Sequence, residues 1–164
     1  MKRVIYVFLV SVLIFAILHY FFGKRDNKTE RSLFVAKQIK FDGLGKVIEQ
    51  LLSNELDYDF FGITSNGVDC IYFVLDDSLL NIDYEIMLES QKQFVEKYKY
   101  FAKTNGFEIK TLSYGNKPKY SSVSEAPVYK MIIEGDRSYV ERIGIEIQEY
   151  VFKNNASTSF DIVP

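Results

Sequence analysis

The chain has 164 residues, of which 48% are hydrophobic and 26% charged, and 20 basic residues nearly balance 22 acidic ones. These values are ordinary for a globular domain and exclude extensive disorder. The single cysteine, Cys70, excludes an internal disulfide and a multi-cysteine metal site, and the single histidine, His19, leaves residues 24–164 without an imidazole for a catalytic dyad.

The first predicted element is a transmembrane helix at residues 4–22. Its sequence, VIYVFLVSVLIFAILHYFF, contains no acidic residue, lysine or arginine, and a helix of this length spans roughly 28 Å, close to the hydrocarbon thickness of a bilayer. Phe21 occupies a position where signal cleavage requires a small residue, so we expect an uncleaved signal anchor. The polar residues 23–32 are predicted to form a juxtamembrane linker.

The charges at the two ends of this anchor bear on its orientation. Lys2, Arg3 and the amino terminus precede it, whereas five basic residues lie in 23–37. Counting basic residues favours a cytoplasmic domain. A short cationic tail before an apolar run is instead typical of a signal anchor with an external domain. We expect the external or periplasmic side, and the cytoplasmic orientation remains the alternative.

Residues 33–164 are predicted to form one α+β domain. Apolar residues at helical spacing predict an amphipathic helix within 31–53. Gly43 and Gly45 interrupt this pattern, and each disfavours a helix by roughly 1 kcal/mol relative to alanine, so we expect a break near them.

Extended segments are predicted from β-branched and aromatic content. The segment 68–75 is apolar on both faces after Asp69, as in a central strand. A turn at 65–67 can join it to 58–64 in a hairpin. The further predicted strands are 107–112, 128–134 and 157–163.

Two stronger helices are predicted at 83–105 and 136–153. The first has a stripe with one polar member: Tyr84, Met87, Leu88, Gln91, Phe94, Val95, Tyr98, Phe101 and Ala102. Asn81 or Asp83 is its predicted N-cap, and Asn105-Gly106 its end. The second helix has an apolar stripe containing Val140, Ile143 and Ile147, with Asp136 as its predicted N-cap.

From residue 68 the predicted order is strand, helix, strand, strand, helix, strand. This βαββαβ order is that of a ferredoxin-like split βαβ sandwich, in which two helices cover one face of a four-stranded sheet. Residues on strand 68–75 are apolar on both faces, so the second face also needs a cover. We expect the helix within 31–53 to provide it.

Three features are candidate sites. Asp76 and Asp77 follow an apolar strand and could bind Mg²⁺ or accept protons, although acidic residues also end strands at turns. Cys70 is interpreted as a small buried hydrophobic residue, because its neighbours are Asp69 and Ile71 and no cation is adjacent. The tract 114–120 interleaves lysine with tyrosine, but the acidic charge of the domain argues against a nucleic-acid partner.

No family motif is recognised, and we expect an interaction or assembly module rather than an enzyme. The expected protein is a single-pass membrane protein whose domain binds another protein or a second copy of itself, with no cofactor, metal or catalytic residue. The alternative is a membrane-anchored enzyme, or a small-ligand or metal sensor, that uses Asp76, Asp77 and the loop 114–125. Divalent cations should raise the melting temperature only under the alternative.

Overall fold

The computed structural model of the chain describes residues 37–77, 79–113 and 126–164. No helix in these ranges is long and apolar enough to cross a membrane. The predicted transmembrane helix at 4–22, the linker at 23–32 and the lysine-tyrosine tract at 114–120 lie outside the described residues.

The described residues form an α+β fold around one antiparallel sheet of seven strands, in the spatial order β1-β7-β2-β3-β4-β6-β5. The strands are β1 (Gln38–Ile39), β2 (Phe60–Thr64), β3 (Ile71–Asp76), β4 (Leu79–Glu85), β5 (Glu108–Ser113), β6 (Pro127–Ile132) and β7 (Phe160–Val163). The predicted hairpin between 58–64 and 68–75 is confirmed as β2 and β3.

Three α-helices lie within the described residues: α1 (Phe41–Leu52), α2 (Val95–Thr104) and α3 (Arg137–Tyr150). A 3-10 helix, Glu89–Phe94, leads into α2. The predicted N-cap of α3 is confirmed, because the Asp136 carboxylate accepts a hydrogen bond of 2.8 Å from the backbone N–H of Tyr139. The predicted stop after α2 is also confirmed, since Gly106 has a φ of 79° and the helix ends just before Asn105.

All three helices pack on the same face of the sheet. The ring of Phe73 on β3 lies so close to Gly144 of α3 that a Cβ atom there would stand 2.5 Å from it. On α2, the Tyr98 hydroxyl donates a hydrogen bond of 2.8 Å to the carbonyl oxygen of Ile82. On α1, the ring of Phe41 stacks on Phe160 of β7 at 5.2 Å. The expectation that the 31–53 helix covers the second face is therefore wrong.

The predicted break at Gly43 and Gly45 is also wrong, because both residues lie inside the regular helix α1. Gly45 is buried against α3, where a Cβ atom would stand 2.4 Å from the carboxylate of Glu141. The absence of a side chain allows the two helices to approach closely, which compensates for the low helix propensity of glycine.

The predicted helix at 83–105 is correct only in its second half. Residues 83–85 belong to β4, which pairs with β3 on one side and β6 on the other. Asn81 and Asp83 are therefore strand residues and not helix caps. Hydrogen bonding to two neighbouring strands outweighs the helical spacing of Tyr84 and Met87.

The ferredoxin-like prediction is not confirmed. The sheet of the described residues has seven strands rather than four. The final strand β7 pairs with β1 and β2, whereas a four-stranded sandwich of this order would pair it with the first strand. The α+β class is confirmed.

Candidate functional site

The face of the sheet opposite the helices, called the open face here, carries alternate residues of each strand. Two rows of cross-strand neighbours run across its centre from β2 to β6. The first row consists of Gly62, Tyr72, Asp83 and Lys130. The second row consists of Phe60, Val74, Asn81 and Ile132. None of the described helices covers this face. Polar and aromatic side chains lie together on the middle strands of this face, and two of the polar ones, Asn81 and Asp83, are buried.

A depression of about 320 Å³ lies on the open face around Asp83. Among the described residues, its lining comprises Phe60, Tyr72, Val74, Asp83, Glu85, Val128 and Pro164. The rings of Phe60 and Tyr72 meet edge to face, with centroids 6.2 Å apart. The size is at the lower end of the range typical of small-ligand sites.

Glycine at position 62 allows the Tyr72 ring to take its place in the wall of the depression. A Cβ atom on Gly62 would stand 2.8 Å from Cε1 of Tyr72 and 2.7 Å from a methyl group of Val163. Both distances are too short for real atoms. A larger residue at position 62 would therefore displace the tyrosine and change the shape of the depression.

Asp83 is the most unusual side chain of the open face. It is only 9% exposed, and its Oδ1 atom has no hydrogen-bond partner. Burial raises the pKa of its carboxyl group to about 6; nearby Lys130 opposes this rise, and the carboxylates of Glu85 and Asp76 add to it. The Oδ1 atom of Asp83 is thus an acceptor without a donor, and the carboxyl group lies in a site that disfavours its charged form.

Asn81 repeats this feature one row away. It is 4% exposed, and its Oδ1 atom also lacks a hydrogen-bond partner. Residues two apart on a strand share a face and are separated by about 7 Å. Two unsatisfied acceptor oxygens therefore lie on one face of β4, the strand that the sequence pattern assigned to a helix start.

Asp76 and Asp77, the alternative metal site considered in the sequence analysis, lie in different surroundings. Asp76 ends β3 and accepts a hydrogen bond of 3.0 Å from the Nζ atom of Lys130. Asp77 follows in the turn to β4 with a φ of 48°. No group of three acidic, histidine or cysteine side chains suited to a metal occurs in the described part of the chain. The loop 114–125 of that alternative lies outside the described residues.

The other buried aspartate, Asp69, has the opposite character. Its carboxylate accepts hydrogen bonds from the side chains of Thr64 at 2.6 Å, Ser65 at 2.5 Å and Asn154 at 2.6 Å, and from two backbone N–H groups. Burial raises its pKa, but these hydrogen bonds outweigh burial and hold the pKa below the usual value. Asp69 joins the β2–β3 turn to the segment after α3, and its acceptors are occupied.

Cys70 is buried, as the sequence predicted, and burial raises the pKa of its thiol to about 12. The thiol is therefore protonated at neutral pH and is not a nucleophile. Sequence reasoning missed Asp83 as a site residue. The signal available was a pair of polar residues, Asn81 and Asp83, at strand spacing within the apolar segment 79–86.

No protein-family model, curated protein or solved structure matches this chain.

Proposed function

We propose that this chain is a membrane-anchored interaction module. Residues 4–22 hold it in the bilayer, and the open face of the sheet binds another protein on the external or periplasmic side. The observation that carries this proposal is a group of adjacent aromatic rings on a sheet face that the described helices leave uncovered. Tyr58 lies 5.5 Å from Phe60, and Phe60 lies 6.2 Å from Tyr72.

The chemistry of this face supports protein binding. Aromatic side chains are enriched at protein interfaces because they bury a large area at a low cost in conformational entropy. Lys130 and Asp76 form an ion pair of 3.0 Å on the same face, and charged groups of this kind add hydrogen-bonding capacity to an interface. An anchor would also raise the effective concentration of the domain toward partners in the same membrane.

We also propose that the fold is an enlarged split βαβ sandwich. The elements β4, α2, β5, β6, α3 and β7 follow the βαββαβ order, and the spatial order β4-β6-β5 agrees with it. The hairpin of β2 and β3 lies between β7 and β4, where the sandwich would pair the last strand with the first. A solved relative that lacks this hairpin and pairs those two strands directly would support the proposal.

Photo-crosslinking in membranes tests the binding face. A photoreactive amino acid replaces either Tyr58 or Tyr100 in the full chain. The two tyrosines are 56% and 57% exposed, and Tyr100 lies on α2, away from the open face. We expect one discrete protein adduct from position 58 and none from position 100. Equal adducts at both positions, or none at position 58, would contradict the proposal.

Alkaline carbonate extraction of the same membranes tests the anchor. A protein held by a transmembrane helix remains in the pellet, whereas a peripheral protein is released. We expect the full chain in the pellet. A mature species that begins near Lys24 would contradict the anchor, because it would show that residues 4–22 are a cleaved signal.

A further inference from the structure

The depression on the open face combines features that together select one kind of ligand. Tyr72 and Asp83 are direct cross-strand partners, so an aromatic ring stands beside a buried carboxylate. Phe60 extends the aromatic wall, and Glu85 adds a second carboxylate to the lining. Aromatic rings and carboxylates both attract cations, the rings through the negative potential of their faces.

The unsatisfied Oδ1 atom of Asp83 restricts the kind of ligand further. A buried acceptor without a partner is rare in folded proteins and calls for an N–H or O–H donor. Lys130, the cross-strand partner of Asp83 on β6, is already engaged, since its Nζ atom lies 3.0 Å from Oδ2 of Asp76. The missing donor would therefore come from outside the described residues.

The charges around Asp83 favour a cationic donor over a neutral one. Tyr72 and Asp76 face it from β3, Glu85 from its own strand β4, and Lys130 from β6. Lys130 is paired with Asp76, so an ionised Asp83 keeps its own negative charge beside this ion pair. An anion would be repelled here, and a quaternary ammonium ion has no N–H group to donate.

We infer that the depression binds the ammonium or guanidinium group of a lysine or arginine side chain that a partner protein inserts between Tyr72 and Asp83. The inference rests on the proposed function, because it takes the partner of the open face as the source of the cation.

Nuclear magnetic resonance of the full ¹⁵N-labelled chain in micelles tests the chemistry. The probes are n-butylammonium, ethylguanidinium and tetramethylammonium, of which only the last lacks N–H donors. We expect saturable shifts of the Tyr72 and Asp83 amides with the first two probes, and at least tenfold weaker binding of tetramethylammonium. Equal binding of all three probes, or no saturable shift with any, would overturn the inference.

The variant Asp83→Asn should weaken binding of n-butylammonium at least tenfold. Asp77→Asn removes the same charge from the β3–β4 turn and should leave the affinity unchanged. If the Asp83→Asn variant does not fold, the affinity of the wild-type chain for n-butylammonium is measured as a function of pH instead. Affinity should then fall as the pH drops through about 6, where Asp83 gains a proton. Unchanged affinity in the variant, or a flat pH profile, would overturn the inference.

Crosslinking from position 58 identifies the source of the cation. In the Asp83→Asn background we expect the adduct to be lost. If Asp83→Asn abolishes n-butylammonium binding but the adduct is retained, the cation does not come from the side chain of the partner protein. The ligand would then be a free amine, and the proposed function would be unaffected. Amine binding without any adduct in the wild-type background would instead overturn the proposed function.

Discussion

Two aspartates, Asp69 and Asp83, are both buried in this domain but in opposite hydrogen-bonding environments. Asp69 accepts five hydrogen bonds, and they keep its carboxylate ionised despite burial. Asp83 has an oxygen without a donor, and burial raises its pKa to about 6. The first stabilises the native state in its charged form, whereas the second destabilises it.

Asp83 should therefore lower the stability of the domain as the pH rises. An unfolded aspartate has a pKa near 4. Between about pH 4 and 6 the native state retains the Asp83 proton that the unfolded state has lost, so the free energy of unfolding decreases across this window and is constant above it. The expected loss is on the order of 2–3 kcal/mol, since one pKa unit corresponds to about 1.4 kcal/mol.

Urea denaturation at a series of pH values measures this effect. We expect Asp83→Asn to remove the decrease between pH 4 and 6, and the exposed control Asp77→Asn to keep it. The contribution of Asp69 has the opposite sign and a separate window, because its lowered pKa is crossed only below about pH 4. The same slope in wild type and Asp83→Asn would show that Asp83 is not the group responsible.

At the scale of single elements, α2 is the clearest case for a packing prediction. Tyr98 is fully buried, contacts the ring of Tyr84 at 5.4 Å and donates its hydroxyl hydrogen to Ile82. We expect Tyr98→Ala to cost about 3–5 kcal/mol, as large-to-small core substitutions do. Tyr98→Phe should cost roughly 1–2 kcal/mol, because it leaves a buried carbonyl without its side-chain donor.

Glu96 is the matched control on the same helix, since it is exposed and forms a surface ion pair with Lys99. Glu96→Ala should change the free energy of unfolding by no more than about 0.5 kcal/mol. Equal losses at positions 96 and 98 would mean that the register of α2 is wrong. Denaturant unfolding of the three variants decides between these outcomes.

The elements also indicate what a sequence pattern can and cannot predict here. The end of α2 before Asn105-Gly106 and the cap of α3 at Asp136 were predictable because both depend on neighbouring residues. The strand β4 was not, because Tyr84 and Met87 have helical spacing with later residues. Pairing of β4 with β3 and β6 decides its structure, and that pairing is a property of distant segments.

The same reasoning applies to the candidate site. Asn81 and Asp83 were visible in the sequence as polar residues, and a helix cap was the local interpretation. Their significance depends on the row that includes Gly62, Tyr72 and Lys130, which come from three other strands. Burial of a carboxylate and the lack of a donor cannot be predicted without that register.

At the scale of the whole molecule, the last strand closes the sheet between two early segments. β7 pairs with β1 on one side and β2 on the other, so residues near 38 and near 62 are joined through 160–163. The ring of Phe160 is fully buried and stacks on Phe41 of α1. One short C-terminal strand thus connects an edge of the sheet to the helix layer.

This arrangement predicts that residues 30–164 fold without the anchor, whereas residues 30–157 do not. The longer fragment keeps β7 and both of its pairings, so urea should unfold it in one cooperative transition followed by circular dichroism. The shorter fragment loses the Phe160 ring, and burial of a phenylalanine contributes about 3–5 kcal/mol, which is much of the 5–15 kcal/mol typical of a domain. It also removes the strand that pairs with β1 and exposes the edge of β2.

A cooperative transition in residues 30–157 would mean that β7 is dispensable. A gradual transition in residues 30–164 would mean that the domain depends on the anchor or on a partner, because every strand pairing described in the sheet is present in that fragment.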